Sequence, residues 1–121
     1  MVASLGDSVC LLIRKNGTFT KLSVEHNVRH PDELQRIKAN GGSVLRGKIQ
    51  GELSVSRAFG NAEHKKLIIA TPEIRDHQLN ETDDLLVIST DGLFRSFTQE
   101  HVVDRITALR KQGKPLYEVA D

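Results

Sequence analysis

Short apolar blocks broken by polar and glycine-bearing turns run along this chain, and most of them have the length of strands rather than helices. Val2 to Leu5 and Val9 to Ile13 are two such blocks, flanking a Gly6-Asp7-Ser8 corner or bulge. Asn16-Gly17 is a two-residue hairpin signal, because both residues tolerate the left-handed backbone that such turns require. It predicts a returning strand over Thr18 to Leu22. Leu67 to Ala70 and Ile74 to Leu79 read as strands separated by a turn at Thr71-Pro72, and Leu85 to Ser89 as a buried strand.

Helical spacing appears in two places. Pro31 and Asp32 open a helix, proline suiting its first turn and the acid its dipole; Leu34 and Ile37 give it an apolar stripe, and Gly41-Gly42 ends it. Thr98 caps a second helix running to about Lys111, with Val102, Val103, Ile106 and Leu109 on one face and Gly113 as its stop. Pro115 begins a further helix that continues to Asp121. Val44 to Leu53 is glycine-rich and polar, and reads as a loop with short strands. Hairpins mixed with helices, without a strand-helix-strand rhythm, predict an α+β fold.

Composition narrows the function. The length of 121 residues is that of one domain, with enough chain to bury a core. Seventeen basic residues against sixteen acidic ones, interspersed, leave no basic stripe for nucleic acid. The longest apolar run, Val9 to Ile13, is far below the roughly 20 residues that cross a bilayer, so no membrane association is expected. No positive segment precedes an apolar one at the N-terminus, which is the reading of a chain without a signal peptide. The single cysteine, Cys10, sits among apolar neighbours as a buried thiol, and points to a reducing compartment, cytoplasmic or nuclear.

Candidate chemistry centres on Leu85 to Gly92. The strand delivers Asp91 at its end, and Gly92 is read as a position with dihedrals that other residues avoid, letting the chain turn away from the carboxylate. Such an end is either a metal-ligating carboxylate or a plain Asp-Gly turn. The Gly6-Asp7-Ser8 segment is likewise either a capped β-corner or a second carboxylate site. In Ser56-Arg57 the guanidinium is able to clamp a phosphate or to organise a loop. His26, His30, His64, His77 and His101 lack acid or cysteine companions at ligand spacing and read as surface or loop histidines. Asp83-Asp84 reads as a solvated turn.

Taken in order, Leu5-Gly6-Asp7-Ser8, Leu22 to His26, Glu33 to Gly42, Gly51 to Gly60, Ala70 to Ile74 and Leu85 to Gly92 resemble the metal-dependent protein serine/threonine phosphatases of the 2C type. The resemblance covers nearly the whole chain. It implies part of a β-sandwich flanked by helices in α-β-β-α layers, with residues 1–121 as the C-terminal portion of a single domain. It also implies two Mg²⁺ or Mn²⁺ ions in the complete domain and phosphoprotein substrates. By that resemblance Asp91 matches a core metal ligand and Asp7 the ligand of an additional, weaker ion. Ser56, Arg57 and Gly92 then support the active-site loops, the arginine as an organiser rather than a phosphate clamp.

Departures from the family pattern limit what this chain is expected to do alone. It contains no Asp-Gly-His and no Asp-Asn, the family's other core-ligand segments. Val9 stands where arginine follows Gly-Asp-Ser, Asn61 where Gly-Asp closes the Ser-Arg segment, and Phe94-Arg95 where tryptophan-aspartate follows Asp-Gly. Fewer acids and an added cation weaken ion binding. The expectation is an incomplete phosphatase, inactive by itself. The alternative is a non-catalytic module, a pseudophosphatase that uses the fold as a protein-interaction surface. A sandwich cut in half is further expected to self-associate through uncovered strand edges.

Overall fold

A computed structural model describes residues 1–120. Strands β1 (Val2–Ser4) and β2 (Val9–Arg14) flank the Gly6-Asp7-Ser8 corner, and β3 (Phe19–Lys21) returns through the Asn16-Gly17 turn. Gly17 takes φ of 85°, the Arg14 amide donates to the Thr18 carbonyl at 2.8 Å, and the Thr18 amide donates to Asn16 Oδ1 at 3.0 Å. Helix α1 (Pro31–Ala39) follows, then the two-residue strands β4 (Val44–Leu45) and β5 (Lys48–Ile49). The chain continues through β6 (Glu73–Arg75), β7 (Asp83–Ser89), α2 (Asp91–Ser96), α3 (Gln99–Lys111) and α4 (Leu116–Ala120). The expected end of that last helix at Asp121 lies outside the described residues. The fold class is α+β, as the pattern predicts.

β2 is the central strand of a three-stranded antiparallel sheet in the order β3-β2-β7, and both of its faces are buried. Val9, Leu11 and Ile13 pack with Val103 of α3, and with Leu85 and Val87 of β7. Cys10 and Leu12 face the other way, against Leu22 and Val2 of the β1-β6 sheet. Burial pushes the Cys10 thiol pKa up, which keeps it protonated and inert. A separate cluster joins Ile37 of α1 to Ile49 of β5 and to Leu67 and Ile68. Among the described residues no helix is long and apolar enough to cross a membrane.

Four local expectations are corrected. Leu67 to Ala70 is not a strand: Leu67 and Ile68 are buried against α1, but only Ile69 forms a bridge, to Arg57. A short apolar run reports burial without reporting the backbone that achieves it. The strand expected over Ile74 to Leu79 is limited to Glu73–Arg75, because its partner β1 is only three residues long. Asp83 and Asp84 are not a solvated turn but the start of β7; the Asp83 side chain is 5% exposed, beside His77 Nε2 at 3.1 Å. The chain does not turn away at Gly92 on unusual dihedrals. Asp91 opens α2, and Gly92 sits in its first turn without a left-handed φ.

Candidate functional site

Asp7, at the corner after β1, and Asp91, at the start of α2 after β7, line the same cleft of about 600 Å³. β2 and β7 run side by side and antiparallel, with Val9 opposite Ser89, so the corner before one strand meets the end of the other. Glu25 contributes a third carboxylate to the cleft. Burial and then the Asp91 charge raise the Asp7 pKa, with a smaller push from Glu25; its own backbone amide and Arg95 pull the other way. Like charges are therefore held close at this end of the sheet.

Two of the three carboxylates already carry a cation. Arg95 Nη2 donates to Asp91 Oδ2 one helical turn away, and Lys21 Nζ donates to Glu25. Arg29, Arg46 and Lys48 also line the cleft and have no carboxylate partner among the described residues. Arg46 occupies the β4-β5 turn with φ of 52°, a region costly for a side chain of that size. The apolar part of the lining includes Val9, Val28, Phe94 and Phe97.

The carboxylates fit a hard divalent cation in kind, since Mg²⁺ and Mn²⁺ select oxygen ligands. They fall short in number. Among the described residues no group of three or more His, Cys, Asp or Glu side chains is placed to hold a metal ion.

Ser56 and Arg57 do not line the cleft. They are fastened to α1 through Glu33, a residue to which the sequence reading gives no site role. Glu33 Oε1 accepts Arg57 Nε at 3.0 Å and Nη2 at 2.6 Å, while Oε2 accepts Ser56 Oγ at 2.5 Å and Arg36 Nη2 at 2.9 Å. Burial alone pushes this carboxyl up, but the hydrogen bonds from Arg57, Ser56 and Arg36 and the Arg57 charge overcome it and bring the pKa down to about 2. Arg57 Nη1 also donates to the Thr71 carbonyl at 3.0 Å. Arg57 thus ties its own loop to α1 and to the segment at Thr71.

His26 links that loop to the corner bearing Asp7. It is not a surface residue: it is 1% exposed. Its Nδ1 accepts the Gly6 amide at 3.2 Å, its own amide donates to the Gly6 carbonyl at 2.8 Å, and its carbonyl accepts the Ser56 amide at 2.8 Å. Burial first, and the Arg57 charge second, lower its pKa, so the neutral ring is the form that fits. Gly6 takes φ of 93°, and a Cβ there would be in van der Waals contact with the Arg57 carbonyl at 3.5 Å, so the corner lies against the Ser56-Arg57 loop. Asn61 lies outside the cleft lining, at a left-handed position before a short 3-10 turn.

Comparison with known proteins places this geometry in a wider setting. The family described as Protein phosphatase 2C matches residues 1–121. Protein phosphatase ppm-1.G of Caenorhabditis elegans is 35% identical over 130 residues, covering 100% of this chain and 26% of that protein. The integrin-linked kinase-associated serine/threonine phosphatase 2C of Bos taurus is 37% identical over 127 residues, covering 94% of this chain and 34% of its own length. The crystal structure of a phosphatase from a pathogenic strain of Toxoplasma gondii superposes with a TM-score of 0.88 at 33% identity, covering 98% of this chain and 40% of that one. The chain therefore spans well under half the length of the relatives it matches.

Proposed function

Because this chain belongs to the protein phosphatase 2C family, we propose that residues 1–121 are the C-terminal portion of a metal-dependent domain hydrolysing phosphoserine and phosphothreonine in proteins. The observation that carries this reading is the convergence of Asp7 and Asp91 on one cleft, at the end of the sheet where β2 starts and β7 finishes. Asp91 would hold a core Mg²⁺ or Mn²⁺ and Asp7 an additional ion, and such ions supply water activation and neutralisation of phosphoryl charge. Ser56 and Arg57 serve by fixing the loop against α1, and through His26 they fix the corner that presents Asp7. Gly92 keeps the first turn of α2 free of a side chain beside Asp91.

The isolated chain is expected to have no meaningful turnover, since its two ligands are too few for a metal-activated nucleophile. The test is Mn²⁺-dependent dephosphorylation of a phosphothreonine peptide by the purified chain, with Asp91→Asn as control. Absence of turnover in both is the expected result. Turnover in the wild type that disappears in the variant overturns it.

A second reading, a non-catalytic module of the same fold, is favoured by one specific observation, the guanidinium of Arg95 on Asp91. An Asp-Gly-His-Gly segment encoded upstream of Met1 supports the enzyme, and its replacement supports the module. For either reading the location is cytoplasmic or nuclear, in keeping with the protonated, buried Cys10. The uncovered outer edge of β7 supports self-association of the chain when it is alone.

A further inference from the structure

We propose that Arg95 is a tethered cation that takes the place of a divalent ion between Asp7 and Asp91, so that this pair of carboxylates binds no metal in the wild-type chain. The inference rests on the reading of Asp7 and Asp91 as the metal-facing carboxylates of the cleft.

The placement follows from helix geometry. Asp91 is the first residue of α2 and Arg95 is four positions on, so the two side chains share one face of the helix. Arg95 Nη2 donates to Asp91 Oδ2, removing one of the oxygens an ion would use. Asp91, Asp7 and Arg95 line the same cleft.

Magnitudes decide what the pair does. The Arg95 side chain is 75% exposed, and an exposed ion pair adds little to the stability of a fold. The contact therefore matters little to folding. Its effect on a metal is larger in proportion, because two carboxylates alone make a weak site. Millimolar dissociation constants, of about 10⁻⁴ to 10⁻³ M, are ordinary for hard-cation sites with few charged ligands. A guanidinium bound to one of the two carboxylates, in the cleft that the other lines, adds a full positive charge to such a site and repels the arriving dication. The other carboxylate of the cleft, Glu25, is occupied by Lys21. The cleft thus offers a dication one carboxylate, Asp7, that forms no ion pair among the described residues, facing an excess of positive side chains.

The experiment is a titration of the 121-residue chain with Mn²⁺, with free Mn²⁺ read by electron paramagnetic resonance and the fold of each variant checked by circular dichroism. Wild type is compared with Arg95→Ala, Arg95→Asp and the double variant Arg95→Asp/Asp7→Asn. The expected result is no saturable binding by wild type at millimolar Mn²⁺. Binding should appear in Arg95→Ala and be at least about tenfold tighter than wild type in Arg95→Asp, and be lost again in the double variant. Equal binding by wild type and Arg95→Asp, lost in the double variant, overturns the proposal while leaving Asp7 a ligand. Gain in Arg95→Asp without gain in Arg95→Ala overturns it too, because the added carboxylate and not the removed cation is then responsible. No binding by any folded variant overturns the proposal together with the assignment of Asp7 to a metal.

Discussion

Arg57 places both its Nε and its Nη2 on a single oxygen of Glu33, 24 residues earlier in the chain, at 3.0 and 2.6 Å. The Glu33 side chain is 3% exposed and that of Arg57 18%. A buried carboxylate with its hydrogen bonds satisfied is tolerated, but removing its charge leaves Arg57 and Arg36 facing a neutral group inside the fold. Glu33→Gln should therefore lower unfolding stability by about 3 kcal/mol, read as a shift of the urea midpoint at unchanged slope. Ser56→Ala, which removes one hydroxyl donor, should cost only about 1 kcal/mol. Equal and negligible effects of the two would show that Glu33 does not anchor the loop.

The same carboxylate makes the fold sensitive to acid. Its pKa is about 2 in the folded chain against an ordinary 4.5. A depressed carboxylate pKa contributes stability that is complete above the unfolded value and is lost as pH falls toward the folded one. Unfolding stability should fall by as much as about 3 kcal/mol between pH 4.5 and 2 through this group. Urea denaturation across that range should show a flatter profile for Glu33→Gln than for wild type.

His26 acts in a higher and separate window. Its pKa is lowered from 6.5, so below that pH the unfolded chain takes up a proton that the folded chain resists. Stability contributed by the neutral ring is present above pH 6.5 and declines as pH falls toward the folded value. His26→Gln should remove that slope. At neutral pH it should also cost about 1 to 3 kcal/mol, because the Gly6 amide loses its buried acceptor. A wild-type stability profile that is flat from pH 7.5 down to 5.5 would count against this account.

What the sequence reveals follows from how local each signal is. The Asn16-Gly17 turn, Pro31 at the start of α1 and Thr98 at the cap of α3 act within a few residues, and each predicted element forms where its signal stands. α2 was hidden because six residues are too few for a helical period, and Gly92 in its first turn is a poor helix former. Glu33 and His26 were missed for a different reason. Both are polar, and their burial is decided by partners 20 or more residues away, Gly6 for one and Ser56 and Arg57 for the other. The convergence of Asp7 and Asp91 required the β2-β7 pairing, which no local pattern encodes. The cations of the cleft, Arg29, Arg46 and Lys48, likewise gain meaning only once the loops carrying them meet.

The double glycine after α1 offers a test of packing against backbone freedom. Gly41 takes φ of 79°, and among the described residues nothing lies within 4 Å of where a Cβ would be, so its backbone is what requires glycine. Gly42 has no such φ, but a Cβ there would meet Ile37 Cγ2 at 2.7 Å and Leu67 Cδ2 at 2.9 Å. Gly41→Ala should cost about 1 to 2 kcal/mol from left-handed strain. Gly42→Ala should cost about 1 to 3 kcal/mol from overpacking. Thermal unfolding of the two single variants would check both, and a Gly42→Ala variant as stable as wild type would show that Ile37 and Leu67 yield without loss.

The last prediction concerns β7, which has β2 on one side and, among the described residues, no strand on the other. Alternate residues face opposite ways along it. Leu85 and Val87 pack toward α3, whereas Leu86 and Ile88, opposite Leu12 and Cys10, are 47% and 76% exposed. Leu12 and Cys10 are covered by Leu22 and Val2, so the sheet face is buried over β2 and bare over β7. An open edge beside bare apolar side chains is a template for another strand. The isolated chain should therefore self-associate with rising concentration in sedimentation velocity. Ile88→Lys, which charges the bare face without touching the packed one, should weaken that association by at least about tenfold. A monomer at every concentration, or dimerisation unchanged by the lysine, would assign the association to another surface or to none.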